Sequence, residues 1–414
     1  MHIVVVTGYY YPYMVPPAGC AKHYLVELAK ENEVEVICPP SNIHYTKTTV
    51  QDGIKINYIN SIPNRFLSLI KTNQEEHRNE WITKQMFNVY RGLRYLKSFI
   101  SKEPYETSLV RPYVEGLSKI HAANPIDVII SVSFNFYTHA SVLKFKKFHP
   151  KVKWITYTTD PLAYNEVNII EKRKMAHAIA VEQDVYSTCD YCITTEEMSQ
   201  NLLYDYHISP DKVLTLPFLL LDKPLNVASG TNSRPLVVYA GYLYYEIRNP
   251  RTMLEVFSRV KDADLQLHVA GDRFIRQMLG QEYPSNIHID GLVSRDKYIE
   301  LLGRADVLIN MCNTVKLQAP SKLTELISTG KPIINFYYNK DSGYRMIERY
   351  PLGLNISNSM DYDEASNNVS SFISRNLHKR ISYEEVQVLY PDHLLEIQMI
   401  KVKEMLENLS FASS

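Results

Sequence analysis

The sequence predicts an α/β fold with two doubly wound lobes that face a central cleft. Short runs of β-branched residues alternate with helical patterns in both halves of the chain, as in parallel sheets covered by helices. A polar stretch rich in proline, glycine and asparagine separates the two halves, as expected of a linker. The chain has 414 residues, 45% of them apolar, which is enough for two separate cores.

The first lobe is predicted to span residues 1–221. It opens with the run HIVVVT at residues 2–7, a helical pattern at 21–30 and the strand VEVIC from Val34. The runs DVIISV at 127–132 and WITY at 154–157 predict two further strands. Because helical stretches separate these runs, we expect a parallel sheet.

Residues 61–118 interrupt this lobe with a polar, tyrosine-rich and mostly helical insertion. Over residues 81–100, apolar side chains recur at helical spacing, at Ile82, Met86, Val89, Leu93, Leu96 and Ile100. Basic residues lie to the sides of this stripe, at Lys84, Arg91, Arg94 and Lys97. Two interpretations stay open. The helix packs on its own lobe, or it meets an anionic membrane surface or a lipid-linked acceptor.

A linker is predicted at 222–234, followed by a second lobe at 235–385. Its strands are predicted from PLVVYAG, LQLHVAG, NIHIDG, DVLINM and PIINFY. Helical patterns separate them near residues 250–261, 294–303, 321–329 and 341–349. The last segment, 386–414, predicts a long closing helix.

The charge of the chain is balanced, with 45 basic and 45 acidic residues. No overall field attracts nucleic acid, so an anionic ligand must be met by local groups. No apolar run approaches the roughly 20 residues that span a bilayer, and no basic leader precedes the first strand, so we expect a cytoplasmic protein. The five cysteines do not indicate a disulfide framework, and Cys189 and Cys192 are predicted to be core thiols.

The stretch QAPSKLTELISTGKPI, residues 318–333, is the first candidate for a binding site. Its helix follows a predicted strand and therefore begins at the carboxyl edge of the sheet, where open α/β sheets bind ligands. Pro320 stands at the helix start, and the backbone amides of residues 320–322 would face a phosphate.

The side chains of this helix suggest how a sugar nucleotide would be held. Ser321 would donate a hydroxyl hydrogen bond, Lys322 would supply charge to a diphosphate, and Glu325 would accept from a ribose diol. The alternative is a capped helix with an ordinary surface pair of Lys322 and Glu325.

Residues 237–257 hold the second candidate. A buried strand ends at Gly241, a tyrosine-rich loop follows from Tyr242, and Arg248 stands at the start of the next helix. A cation at a helix start is unfavourable unless an anion is bound, which favours a role for Arg248 at the same diphosphate. Gly271 and Asp272 follow the next strand, where backbone groups would hold a nucleotide base.

In the first lobe, three residues are predicted to face the cleft. Gly19 precedes a helix and leaves room for a ligand near the backbone. His139 and Asp160 follow strands, and either would act as a general base for an acceptor hydroxyl or orient it. A structural role is the alternative for His139. The glycines after the first strand do not fit GxGxxG, which disfavours a dinucleotide cofactor.

Taken in order, these segments resemble the retaining glycosyltransferases of the GT-B fold, of the group called family 4 or group 1. The resemblance covers most of the chain. It rests on the YYPYMVPPAG loop, DVIISVS before His139, TTDP at Asp160, VVYAG with the RNP at Arg248, HVAGD, and PSKLTELISTGKPI. It implies two Rossmann-like lobes and transfer of a sugar from a nucleotide diphosphate sugar to a saccharide or lipid-linked saccharide hydroxyl. Bacterial surface polysaccharide synthesis, with retention favoured over inversion, is the implied setting.

The resemblance also implies roles for individual residues. Glu325 would bind the ribose, and Arg248 and Lys322 would neutralise the diphosphate, so neither a metal nor another cofactor is expected. The pattern departs at Leu317, where the family has a first glutamate, and at Tyr242, where it has an arginine. A degenerate scaffold or binding subunit and a sugar-nucleotide epimerase of the same fold are the alternatives.

Overall fold

The computed structural model describes residues 1–411 apart from 13, 46–47, 77–78, 134, 166–171, 222–231, 244, 271 and 281–282. Most of the predicted linker and Gly271 therefore lie outside the described residues. The chain divides into two compact units. Unit 1 comprises Met1–Pro217 and Gln398–Ser414, and unit 2 comprises Phe218–Ile397.

The described residues of unit 1 form one eight-stranded sheet. Its strands are β1 (His2–Val6), β2 (Glu33–Cys38), β3 (Thr49–Gln51), β4 (Ile54–Tyr58), β5 (Val128–Val132), β6 (Lys153–Thr158), β7 (Tyr191–Thr194) and β8 (Val213–Thr215). They follow the order β3-β4-β2-β1-β5-β6-β7-β8, and every neighbouring pair is parallel except β3 with β4. The carboxyl ends of β5 and β6 therefore meet at one edge of the sheet.

Helices connect these strands. They are α1 (Pro16–Leu28), α2 (Ile62–Glu75), α3 (Glu80–Ile100), α4 (Val110–Ala123), α5 (Tyr137–Lys146), α6 (Lys172–Thr188) and α7 (Glu196–Gln200), which continues as a π-helical turn (Asn201–Asp205). The predicted helical insertion thus contains α2, α3 and part of α4. One core cluster packs α4, α5 and α6 on the sheet and includes the fully buried Trp154, Cys189 and Cys192.

Unit 2 is built on a six-stranded sheet in which all neighbouring strands are parallel. Its strands are β9 (Leu236–Tyr242), β10 (Asp264–Ala270), β11 (Ile287–Asp290), β12 (Val307–Met311), β13 (Ile333–Tyr337) and β14 (Gly353–Ser357), in the order β11-β10-β9-β12-β13-β14. Its helices are α8 (Arg251–Arg259), α9 (Asp272–Leu279), α10 (Arg295–Arg304), α11 (Ser321–Ile327), α12 (Ser342–Arg349), α13 (Tyr362–Asn376) and α14 (Tyr383–Leu389).

Alternate residues of β9 point to opposite faces of this sheet, as strand geometry requires. Val237 and Tyr239 pack in a core with α8, α9 and α13. Leu236 and Val238 pack in a second core with α10, α11 and α12. Helices α10 and α11 therefore lie on the same face, although they follow different strands.

The predicted closing helix over 386–414 is divided in the structure. Helix α14 ends before Pro391, whose missing backbone N–H cannot continue a helix, and a 3₁₀ turn (Pro391–His393) follows. The last helix, α15 (Leu395–Phe411), begins after this turn and continues into unit 1. There Lys403 pairs with Glu31 at 2.8 Å.

No helix among the described residues combines the length and the apolar character that a membrane span requires.

Candidate functional site

The carboxyl edge of the unit 2 sheet holds Arg248 in a fixed position. The loops after the neighbouring strands β9 and β12 meet here. Arg248 donates through Nε to Asn313 Oδ1 at 2.8 Å and through Nη1 to the carbonyl of Tyr242 at 3.3 Å. Asn313 in turn donates to Gln318 Oε1 at 3.0 Å. The guanidinium is therefore held by both loops and stays partly exposed.

Lys322 reaches the same edge from the first turn of α11. Its ammonium donates to the carbonyl of Ala240 at 2.7 Å and lies 5.0 Å from the centroid of the Tyr298 ring. A Cβ at Gly241 would stand 3.3 Å from Lys322 Nζ and 3.2 Å from Tyr239 Oη, so glycine leaves room for the ammonium beside the strand end.

The carboxylate of Glu325 is buried on the next turn of α11 and has two partners on α10. It accepts a hydrogen bond from Arg295 Nη2 and another from Tyr298 Oη at 3.2 Å. The Arg295 guanidinium also lies 5.3 Å from the centroid of the Tyr298 ring. Arg295 is thus the ion-pair partner of Glu325, whereas the predicted alternative paired Glu325 with Lys322.

Sequence reasoning missed Arg295 and Tyr298. A signal was present, because α10 was predicted near 294–303 and Arg295 begins it one residue after the N-cap Ser294. The local sequence does not show that α10 and α11 pack on the same face of the sheet, and this packing brings Arg295 and Tyr298 to Glu325.

The site is electrostatically positive. Lys322 interacts electrostatically with the carboxylate of Glu325 and with the guanidinium groups of Arg248 and Arg295. Partial burial lowers the pKa of Lys322, Glu325 raises it, and the two guanidinium groups lower it further. Burial and the neighbouring Glu325 raise the pKa of Tyr298, so its hydroxyl remains a donor. Of these four groups, three are cations and one is a carboxylate, so positive charge is in excess among them.

The start of α11 differs from the prediction. Pro320 has no N–H, and the N–H of Ser321 donates to the carbonyl of Ala319 at 3.0 Å. The prediction that the backbone amides of residues 320–322 form a phosphate cradle is therefore wrong for these two residues. Pro320 instead packs against the first turn of α12, where a Cβ on Gly343 would stand 2.8 Å from its ring. The hydroxyl of Ser321 lies on an exposed residue beside Lys322.

The predicted base contact involves Gly271 and Asp272. Gly271 lies outside the described residues, and Asp272 begins α9 directly after β10.

In unit 1, Asp160 lies two residues beyond the end of β6 and is partly exposed. Its Oδ2 accepts from Thr159 Oγ1 at 3.1 Å. The loop that follows is anchored by Glu182 of α6, which is completely buried. Glu182 accepts the backbone N–H groups of Leu162 at 2.7 Å and Ala163 at 2.9 Å.

Sequence reasoning missed Glu182 as well. It shares the buried face of α6 with Ala178 and Val185 at helical spacing, and a carboxylate on such a face indicates a specific hydrogen-bonding role. Tyr206 Oη also donates to it at 2.6 Å. Burial raises the pKa of Glu182, and the hydrogen-bond donors around it act in the opposite direction.

A cavity of about 200 Å³ lies beside this loop. Its lining includes Arg94 and Lys97 from α3, Tyr105, Asn135 from the loop after β5, and Pro161 from the loop after β6. Polar side chains and an aromatic ring thus meet at the carboxyl edge of the sheet.

His139 does not face a ligand, and its prediction as a base is wrong. The residue is completely buried, with Nδ1 at 2.7 Å from Ser131 Oγ and Nε2 at 3.0 Å from Thr158 Oγ1. Burial lowers the pKa of its imidazole to about 3, so the ring is neutral at physiological pH. The alternative interpretation, a structural role, accounts for His139, because its ring links the neighbouring strands β5 and β6.

Gly19 was predicted to precede a helix, but it lies in the first turn of α1, which starts at Pro16. A Cβ at Gly19 would meet no heavy atom within 4 Å. The position is open, but close packing does not require glycine there.

Among the described residues, one group of metal-ligating side chains is compact enough for an ion: His2, Glu33 and Glu35. It lies at the amino ends of β1 and β2, and Glu35 is already bonded to Lys55 at 3.0 Å. The candidate site of unit 2, by contrast, consists mainly of cations and fits an anion.

Comparisons with known proteins identify the fold. No protein-family model matches the sequence, and no curated protein matches it significantly. Sucrose-phosphate synthase from Thermosynechococcus elongatus superimposes with a TM-score of 0.66 at 13% identity, covering 100% of both chains. HepE from Anabaena, solved with UDP-glucose, gives 0.64 at 10% identity over 99% of this chain and 100% of that chain.

A third solved structure is the lipopolysaccharide outer core galactosyltransferase WaaB. Its TM-score is 0.60 at 13% identity, with 100% of both chains covered. At these identities the likeness concerns the fold, which is the GT-B fold of glycosyltransferases. The predicted fold of two Rossmann-like lobes is confirmed.

Proposed function

We propose that this protein is a glycosyltransferase that moves a sugar from a nucleotide diphosphate sugar to a hydroxyl of a saccharide or lipid-linked saccharide. The observation that carries the proposal is the cationic cluster at the carboxyl edge of unit 2. Its cations outnumber the neighbouring carboxylate of Glu325 and complement the two negative charges of a diphosphate diester. A site with this charge balance binds a sugar nucleotide through its diphosphate without a resident metal.

Each member of the cluster has a separate task in this proposal. Arg248 and Lys322 bind the diphosphate, because both present cationic nitrogens at the strand ends. Glu325 binds the ribose, since a carboxylate accepts about four hydrogen bonds and Arg295 and Tyr298 supply only two. Arg295 and Tyr298 are positioning residues that orient this carboxylate before the nucleotide arrives.

Transfer exchanges one bond for another. The bond between the anomeric carbon and the β-phosphate oxygen breaks, and the acceptor oxygen bonds to that carbon. Arg248 and Lys322 stabilise the charge that develops on the leaving nucleoside diphosphate. We infer retention of configuration, in which the acceptor proton passes to the leaving diphosphate and Asp160 orients the acceptor hydroxyl.

We place the acceptor in unit 1, at the cavity beside the loop that Glu182 anchors.

The structural neighbours guide the first choice of substrates. HepE is solved with UDP-glucose, and WaaB is named for lipopolysaccharide outer core, so UDP-sugars and bacterial surface saccharides are the first pair to test.

A binding experiment tests the donor site. Thermal unfolding of the full chain is measured with UDP-glucose and a panel of other nucleotide diphosphate sugars. A donor at about 100 times its dissociation constant stabilises the folded state by roughly 2.7 kcal/mol, which raises the melting temperature by several degrees. The double variant Arg248→Ala with Lys322→Ala is expected to lose this shift while keeping its own melting temperature within a few degrees.

The control removes the same charges elsewhere in unit 2. Arg375 and Lys379 are exposed, and their double alanine variant is expected to bind as the wild type does. If no nucleotide sugar shifts the wild type, the protein is a scaffold or binding subunit. If a donor binds but is only epimerised when an acceptor is supplied, the epimerase alternative replaces the transferase.

A further inference from the structure

Helix α3 of unit 1 carries an apolar stripe that the described residues leave open to solvent. Seven of its large apolar side chains are 47–73% exposed: Trp81, Ile82, Val89, Leu93, Leu96, Phe99 and Ile100. At about 100° per residue they fall within roughly a third of the helix circumference. This outcome disfavours the interpretation in which the stripe packs on its own lobe.

The stripe is flanked by positive charge. Lys84 and Arg91 project on one side of it, and Lys97 projects on the other, where it pairs with Glu106 at 2.7 Å. With Arg94 the helix carries four cations and the single carboxylate of Glu80. This local excess occurs in a chain whose total charge is zero.

The ends of α3 are fixed, so the stripe has a defined orientation. Asn79 caps the first turn by accepting the N–H groups of Trp81 and Ile82 at 3.1 and 3.2 Å. At the other end, Lys174 donates to the carbonyl of Ser98 at 2.6 Å. Arg173 donates to the carbonyl of Phe99 at 2.6 Å, and its guanidinium lies 4.7 Å from the Phe99 ring centroid.

We propose that α3 docks on an anionic lipid surface, with its apolar stripe in the headgroup boundary and the flanking cations Lys84 and Arg91 against lipid phosphates. An amphipathic helix with aromatic residues and flanking cations has the chemistry of an interfacial helix. A second copy of the chain fits less well, because two such helices would bring their cations together. The proposal goes beyond glycosyl transfer and does not depend on it.

Tryptophan fluorescence provides a direct readout. The chain has two tryptophans, Trp81 at 69% exposure on α3 and Trp154 at 0% in the core of unit 1. Vesicles of phosphatidylcholine with phosphatidylglycerol are expected to shift the emission to shorter wavelength. Vesicles of phosphatidylcholine alone are expected to produce a much smaller shift. Trp81→Phe should remove the response while co-sedimentation with the anionic vesicles persists.

Matched pairs of variants test whether vesicle binding depends on the stripe of α3 or on any added charge at the surface. Leu93→Glu with Leu96→Glu places two charges in the stripe and should reduce partitioning into anionic vesicles at least tenfold. Val388→Glu with Ile400→Glu makes the same kind of change at two exposed positions outside α3, at 80% and 55% exposure, and should bind normally. Lys84→Gln with Arg91→Gln should weaken binding roughly tenfold or more, and Lys119→Gln with Lys144→Gln should not.

Two results would overturn the proposal. One is equal vesicle binding by the stripe variant and its control. The other is a wild type that ignores anionic vesicles but sediments as a dimer that the stripe variant dissociates, which would assign the face to a second copy of the chain.

Discussion

Glu325 lies on the second turn of α11, and both of its hydrogen-bond partners come from α10. The sequence predicts an acceptor for a ribose diol, and the carboxylate indeed lies beside Lys322 at the strand ends. Its two hydrogen-bond donors, however, come from α10, about thirty residues earlier in the chain. A buried carboxylate with charged and neutral donors is oriented before any ligand binds.

Substituting Glu325 should separate the two parts of the donor. In Glu325→Gln, UDP is expected to bind roughly tenfold more weakly or worse, because a charged acceptor for the ribose is lost. Pyrophosphate, which has no ribose, is expected to bind more tightly, since the cluster gains one positive charge. Isothermal titration calorimetry measures the affinities for UDP and for pyrophosphate. The control variant is Glu300→Gln, which removes the charge of an exposed carboxylate paired with Lys297. Equal weakening for the two ligands would contradict the assignment.

His139 makes a testable contribution to the pH dependence of stability. Its folded pKa is about 3, below the ordinary value of 6.5 that applies in the unfolded chain. Between these values the unfolded state binds a proton that the folded state does not. The free energy of unfolding should therefore fall as the pH drops from 6.5, by up to about 1.4 kcal/mol per pH unit from this residue.

The variant His139→Gln isolates this effect. Urea unfolding at several pH values between 7 and 5 should show a shallower loss of stability than in the wild type, because other titrating groups are common to both proteins. Glycosyl transfer should persist in the folded variant. A wild-type slope in the variant would indicate that another group titrates instead.

At the scale of secondary structure, the turn after α11 depends on a glycine. Gly330 stands between this helix and β13 at φ +71°. A left-handed residue lets the chain reverse toward β13. Its carbonyl accepts the N–H of Ile381 at 3.0 Å, which ties the turn to the segment before α14.

Gly330→Ala should destabilise the protein strongly. A Cβ at this position would stand 2.1 Å from the carbonyl oxygen of Ile381, so the backbone must move in addition to the left-handed strain. We expect a loss of roughly 3 kcal/mol or more in the free energy of unfolding. Gly280→Ala is the matched control, since Gly280 has φ +81° and no heavy atom within 4 Å of its Cβ position. It should lose only about 1 kcal/mol. Equal losses in denaturant unfolding would show that contact with Ile381 is unimportant.

Helices α10 and α11 show why elements that were predicted individually did not yield the whole site. Periodicity located both helices, and the order of strands and helices placed the start of α11 at the carboxyl edge. Only the shared core of Leu301, Leu302, Leu323 and Leu326 brings Arg295 beside Glu325. That contact depends on helix packing, which local spacing does not encode.

At the scale of the whole molecule, the two proposals place two ligands on different units. Hydrogen exchange is expected to show protection by UDP at residues 240–250 and 311–325 of unit 2. Anionic vesicles are expected to protect residues 80–100 of unit 1 instead. Slower exchange reports local opening that a bound ligand suppresses, so each footprint marks its site. UDP protection confined to unit 1 would contradict the donor assignment, and a vesicle footprint away from α3 would contradict the docking proposal.

The sequence by itself determined the α/β class, four strands of the first sheet and five of the second, and the positions of Arg248, Lys322 and Asp160 after strands. It could do so because alternating strand and helix patterns force parallel strands, whose carboxyl ends share one edge. Tertiary structure alone decided the partner of Glu325, the burial of His139 between Ser131 and Thr158, and the exposure of the α3 stripe. An apolar stripe has the same spacing on a buried helix as on an exposed one, and contacts between distant elements depend on packing in three dimensions.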